Sequence, residues 1–221
     1  MAKILCLETA TKNCSVSLGD KDLLIDVKEL SSQGYSHAEQ LHPFVDDILK
    51  EAGLSIQDLD AISISKGPGS YTGLRIGVSA AKGFAYAAQL PLISVSTLAC
   101  LALQIKDIPD DALIIPMLDA RRMEVYTQTF DAQHRELTEI EAKILDETSF
   151  KEQLKNQPVY FIGDGVEKFE EICKHPNAHF IKEKLPSARE QFYIARQKFL
   201  NSSFEDVAYF EPFYLKDFRP G

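Results

Sequence analysis

The stretch with the most chemical potential in this 221-residue chain is Lys66-Gly67-Pro68-Gly69-Ser70-Tyr71-Thr72-Gly73-Leu74-Arg75-Ile76-Gly77. Two glycines around a proline permit a tight turn, because glycine adopts positive φ without a steric cost. The alternating run 60–65 before it reads as a buried strand, and the run to about residue 88 after it reads as a helix. Thr72 or Ser70 can cap that helix by accepting from its free N–H groups. Strand, glycine turn and helix N-terminus together bring several donors and the positive end of a dipole to one point, which suits an anion. The anion-loop or nucleotide-loop candidates are therefore Gly67, Gly69, Ser70, Thr72 and Gly73. The loop is not a Walker A motif, since no Gly-Lys-Ser/Thr follows at the required spacing. A plain strand-to-helix turn accounts for the same residues.

Other reactive types are sparser. Glu8, with Thr9 beside it, and Asp119 each close a strand just before a hairpin. They could flank a cleft as a carboxylate pair, although strand-end acids more often serve turns and caps. His37 and His42 are five apart on one helix, a poor spacing for a shared metal. No Gly-x-Ser-x-Gly elbow is present. Cys6, Cys14, Cys100 and Cys173 are scattered without a Cys-x-x-Cys, so buried free thiols are expected rather than a disulfide framework or zinc site.

The elements that must position these residues follow from periodicity. Strands are expected at 3–8, 14–19 and 23–30. A helix follows, opened by Ser36 with Glu39 in a capping-box pattern and closed by Gly53. A strand near 60–66, the helix 71–88, a strand 91–96 and a helix from 97 to about 106 complete the first series. After Ile108-Pro109-Asp110-Asp111 the order restarts, with strands at 112–119, 123–130 and 136–145. A helix at 149–156, a strand at 159–163, a helix at 166–175 and a short strand at Phe180-Ile181 follow. Ser187 and Glu190 open a last helix to about residue 200. A repeat of element order predicts two α/β halves, 1–107 and 108–221, each a mixed sheet flanked by helices with a cleft between them. This is the duplicated ribonuclease-H-like architecture of actin-like ATPases.

Hydrophobic content of 45% and 26% charged residues fit a globular protein. A net charge of −9 argues against independent tight RNA binding, for which a basic face is the usual footprint. The only local basic features are Arg121-Arg122 and scattered lysines. The opening run shows no charged-then-apolar leader, and the most apolar region, 83–105, is interrupted by polar residues and Pro91. A cytoplasmic location with no membrane association is expected.

On the helix after the loop, Thr72, Arg75, Ser79, Lys82, Tyr86 and Gln89 form one narrow polar stripe. Gly73, Gly77, Ala81 and Ala85 recur every four residues, a line of small residues that permits close backbone approach. The apolar arc exceeds the ~100° that a surface helix needs. The expectation is that a sheet takes one face and another subunit part of the rest. Leu41, Ile76, Gly77, Ala80 and Phe84 are the interface candidates, on this helix and the one at 36–52. A helix sandwiched within its own domain is the alternative.

The 66–77 motif, with Ala81-Lys82-Gly83 and Val95-Ser96-Thr97 behind it, closely resembles the TsaB (YeaZ) family. So do the hairpin from Ile4 to Ser17 and Asp119-Ala-Arg-Arg-Met-Glu-Val-Tyr126, with weaker matches at Gly163-Asp164-Gly165 and Pro212-Phe-Tyr-Leu-Lys216. The resemblance spans nearly the whole chain and implies the duplicated actin-like fold. It also implies a non-catalytic scaffold or activator for TsaD in adding threonylcarbamoyl to the adenosine beside the transfer RNA anticodon. The implied partners are a TsaD-like catalytic subunit, a TsaE-like ATPase, a second copy of the chain when alone, and tRNA indirectly through the complex. No cofactor is implied for the chain on its own, with ATP and magnesium entering at the level of the complex. TsaD carries a His-x-x-x-His metal pair where this chain has Ser96-Thr97-Leu98-Ala99-Cys100, and Thr and Ala cannot replace imidazole. The family usually has Asp-Thr where this chain has Glu8-Thr9, which alters the reach of the carboxylate. The alternative is an actin-like nucleotide-binding enzyme or peptidase-like hydrolase with its site in the inter-domain cleft. The aromatics of the final segment, 209–221, have two possible roles: packing back onto the body or reaching a partner.

Overall fold

In strand β1 (Lys3–Glu8), Ile4 and Cys6 point to one side and Leu5 and Leu7 to the other, and all four are fully buried. A strand buried on both faces belongs at the centre of a sheet. β1 pairs antiparallel with β2 (Asn13–Asp20), which pairs antiparallel with β3 (Leu23–Ser31). On its other side β1 runs parallel to β4 (Ala61–Gly67), and β4 to β5 (Leu92–Ser96), in the order β3-β2-β1-β4-β5. The computed structural model describes residues 2–31 and 37–216. The proposed Ser36 cap and the end of the terminal segment, 217–221, lie outside the described residues.

Helices α1 (His37–Glu51) and α2 (Tyr71–Ala88) cover one face of this sheet, joining Leu41, Val45 and Ile48 to Leu5, Leu7, Ile62, Ile64, Val78 and Ala81. Helix α3 (Thr97–Ala102) is shorter than expected, because the amides of Gln104 and Ile105 bond back to Leu101 and Ala102 in a tightened last turn.

The second series gives β6 (Leu113–Asp119), β7 (Glu124–Thr127), β8 (Phe130–Asp131), β9 (Glu141–Ile144), α4 (Lys151–Asn156), β10 (Val159–Ile162), α5 (Val166–Ile172) and β11 (Ala178–Ile181). The expected strand 123–130 is broken into β7 and β8, since Gln128 and Thr129 bond instead to Thr138. The sheet order is β11-β10-β6-β7-β9, with β8 added on β6. In chain order its five main strands lie third, second, first, fourth, fifth, as in the first sheet, and with the same parallel and antiparallel senses. The repeat of element order is thus a repeat of topology, and the fold is the duplicated ribonuclease-H-like α/β architecture. The aromatic rings of Phe150, Phe161, Phe169 and Phe180 fill the core of the second unit.

The expected division at 107/108 needs correction. One compact unit comprises Met1–Cys100 with Pro186–Gly221, and the other Leu101–Leu185. Helix α6 (Ala188–Leu200) returns to the first sheet and covers the face that α1 and α2 leave open, where Phe192, Ala188 and Ala195 meet Ile4, Cys6, Ile93 and Val95. A two-faced apolar strand demands cover on both sides, and α6 supplies the second. Phe192 lies so close to Gly19 that a Cβ there would fall 2.1 Å from the ring. Ser17 Oγ donates to the Ala188 carbonyl at 2.6 Å and Ser187 Oγ to Glu29 at 2.8 Å, which ties down the start of α6. No helix among the described residues is long and apolar enough to cross a membrane.

Candidate functional site

The loop after β4 does cap α2: Ser70 Oγ accepts from the Gly73 amide at 3.3 Å. It also contacts the residues that follow β1. The Ser70 amide donates to the Ala10 carbonyl at 2.7 Å, and Thr9 Oγ1 donates to the Gly73 carbonyl at 2.8 Å. The glycines are there for close approach. A Cβ at Gly69 would sit 2.3 Å from the Ala10 oxygen, at Gly73 2.1 Å from the Thr9 oxygen, and at Gly77 2.1 Å from Thr9 Oγ1. Gly67, at φ +114°, faces the Phe213 carbonyl. The Cβ positions of Gly67, Gly69 and Gly73 are each filled by the chain's own backbone, which is why no larger residue fits there. Gly69 and Gly73 let the residues that follow β1, Thr9 and Ala10, pack directly against the start of α2. Thr72 is exposed and forms no cap.

Glu8 is completely buried. One carboxyl oxygen accepts from the Ala10 amide at 2.6 Å and the other from Ser65 Oγ at 2.5 Å, and Ser65 Oγ lies 3.2 Å from Thr97 Oγ1. Burial raises its pKa to about 7 against these stabilising bonds. Thr97 opens α3 and is completely buried, as is Cys100. Burial pushes the Cys100 thiol well above its ordinary range and the Cys6 thiol up to about 12. All four cysteines are free and buried. Among the described residues no group of three His, Cys, Asp or Glu could hold a metal ion.

In the second unit Asp119 is exposed, accepts from the Arg121 amide at 2.9 Å and pairs with Lys168. His37 is buried with Nε2 2.7 Å from the Thr11 carbonyl, and burial lowers its pKa; His42 is exposed and its ring meets Phe84 at 5.6 Å.

Of the interface candidates, Leu41 and Gly77 are interior and do not belong to an accessible surface. Ile76, Ala80 and Phe84 are half-buried along the edge of the first core. The small-residue line Gly73, Gly77, Ala81 and Ala85 faces the sheet, within the chain's own unit.

Two residues of the polar stripe of α2, Arg75 and Lys82, are engaged by residues 208–214. Lys82 Nζ donates to the Ala208 and Phe210 carbonyls at 3.1 and 2.9 Å. Arg75 stacks over the Tyr71 ring at 4.1 Å and bonds the Tyr214 hydroxyl at 3.2 Å. The Phe213 amide donates to the Lys66 carbonyl at 2.7 Å, and Glu205 bridges to Leu92 on the edge of β5. The aromatic segment therefore packs back, as a strap from β5 along α2 to the loop. Its only sequence signal is the pairing of carbonyl-seeking Lys82 and Arg75 with aromatics far along the chain, which periodicity cannot see.

Over residues 31–219 the chain matches the family model described as TsaD: tRNA N6-adenosine threonylcarbamoyltransferase. It is 32% identical over 224 residues to the tRNA threonylcarbamoyladenosine biosynthesis protein TsaB of Escherichia coli K12, covering 97% of this chain and 95% of that one. It is 32% identical over 164 residues to the protein of the same name from Bacillus subtilis 168, covering 72% and 70%. The solved structure of YeaZ from Pseudomonas aeruginosa superposes with a TM-score of 0.86 at 28% identity, covering 97% of this chain and all of that one.

Proposed function

The chain belongs to the TsaB (YeaZ) family, and from that premise we propose that it is an accessory subunit in the biosynthesis of threonylcarbamoyladenosine in transfer RNA. It binds and stabilises the active arrangement of a TsaD-like catalytic subunit in the cytoplasm, with a TsaE-like ATPase as a further partner. Alone it forms a homodimer. It needs no cofactor of its own, and ATP and magnesium act at the level of the complex. The edge of α2 formed by Ile76, Ala80 and Phe84, flanked by His42 of α1, is the surface it offers.

The observation that carries this reading is the inward use of the polar groups around the loop. Glu8, Thr9, Ser65 and Thr97 are all completely buried, and the bonds between Glu8 and Ser65 and between Thr9 and Gly73 hold the fold together. Groups so engaged hold the fold that carries the α2 edge rather than meet a substrate. Reconstitution tests it. Purified TsaD-like and TsaE-like proteins, unmodified tRNA and an activated threonylcarbamoyl donor make the modified nucleoside when this chain is added and fail to without it. Modification at full rate in its absence overturns the proposal.

A further inference from the structure

The hairpin between β6 and β7 holds two adjacent non-glycine residues in the left-handed region, Arg121 at φ 68° and Arg122 at φ 52°. Each such residue costs about 1–2 kcal/mol and persists only where its surroundings over-determine it. Here they do. The Arg121 amide donates to Asp119, the Ala120 amide to the Glu124 carbonyl at 3.0 Å, and the Glu124 amide to the Arg121 carbonyl at 3.2 Å. From α5, Lys168 Nζ reaches the Asp119 carboxylate, the Arg122 carbonyl at 2.7 Å and the Glu124 carbonyl at 2.9 Å. Lys168 thereby engages the strand-end carboxylate nearest the tip. Both arginines are exposed, and neither guanidinium has a carboxylate partner among the described residues, whereas Arg135 pairs with Asp131 and Arg196 with Asp22. Met123, next to them, is 37% exposed.

The geometry points to this tip as the chain's contact with RNA phosphates. Arg121 and Arg122 neutralise phosphodiester oxygens of the transfer RNA, and the Met123 side chain lies against an adjoining sugar or base. This rests on the tRNA-modification reading above. Guanidinium groups present planar pairs of donors that fit phosphate oxygens, and two of them side by side on a braced turn are pre-organised for a backbone. Two contacts position an RNA without holding it tightly, in keeping with the chain's net charge of −9.

The test is a titration of unmodified tRNA against the complex of full-length chain and TsaD-like subunit over a series of salt concentrations. Arg121→Gly/Arg122→Gly removes both charges while suiting the positive φ values, so the turn is kept. Arg121→Lys/Arg122→Lys preserves the charge. Each phosphate contact contributes roughly 0.7–0.9 to the slope of log affinity on log salt, so the glycine variant flattens the slope by about 1.5 and the lysine variant leaves it near wild type. Equal slopes and affinities for wild type and the glycine variant overturn the inference. So does loss of the TsaD-like subunit from the glycine variant in light scattering with tRNA affinity unchanged, which makes the tip a protein-docking surface. Production of the modified nucleoside is read separately. If the wild-type complex makes none, the functional reading falls, and the same titration on the full chain alone at low salt decides whether the arginines bind RNA.

Discussion

At the end of a central strand the Glu8 carboxyl turns back into the fold and bonds Ala10 and Ser65. Its folded pKa of about 7 lies above the ordinary 4.5, so the folded state holds this proton more tightly than the unfolded chain. The contribution to stability is full below about 4.5, falls as pH rises to about 7, and is flat above. The shift corresponds to at most about 3 kcal/mol. Glu8→Gln keeps a group of the same shape without the titration. Urea unfolding at a series of pH values is expected to show wild type losing stability relative to Glu8→Gln across that window, and parallel curves would sink the assignment. The glycines give a sharper contrast. Gly73→Ala drives a methyl to 2.1 Å from the Thr9 carbonyl and is expected to destabilise by about 1–3 kcal/mol. Gly83→Ala, in the same helix with open space around it, is expected to stabilise by about 0.5–1 kcal/mol. Thermal unfolding of the two variants reads both signs. The loop motif is legible in the sequence as a strand-turn-helix, but its use is not. Glycine permits approach, and only the fold shows that Thr9 and Ala10 approach Gly69 and Gly73.

At the scale of elements, alternation and helical period locate the strands and helices of the first series closely, because each has one consistent set of buried faces. They place α6 as a helix, with Ser187 as its cap, and are silent on where it goes. A helix's own residues specify that a face is buried, not which sheet buries it. The strap is hidden for a similar reason: Lys82 and Arg75 read as a solvated stripe until residues 205–214 are laid across them. The strap is held by polar contacts at the surface together with partly buried Val207 and Phe210, a smaller set of contacts than the core elements have, so it belongs to the more easily opened part of the molecule. Lys82→Met combined with Tyr214→Ala is expected to speed deuterium exchange at the amides of Phe210 and Phe213 while lowering global stability by only about 1–2 kcal/mol. Unchanged exchange at both amides would show that the packing of partly buried Val207 and Phe210 against the first core holds the strap without these polar contacts.

For the whole molecule the consequence of α6 is that the first unit is discontinuous in sequence, with Leu101–Leu185 inserted between its parts. The two repeats are therefore unequal as folding units. The second is one continuous piece with its own aromatic core. The first cannot be cut out at the point where the repeat begins, because a fragment 1–107 leaves Ile4, Cys6, Ile93 and Val95 uncovered on a face that α6 occupies in the intact chain. Exposure of a contiguous apolar sheet face of that kind drives association. The fragment 1–107 is accordingly expected to aggregate or to give a collapsed, poorly dispersed amide spectrum. The fragment 101–185 is expected to give a dispersed one. Supplying 186–221 in trans, or joining it to 1–100 through a flexible linker, is expected to restore dispersion to the first unit. A well-dispersed spectrum from 1–107 alone would mean that α6 is dispensable, and that the boundary read from the repeat is the true folding boundary after all.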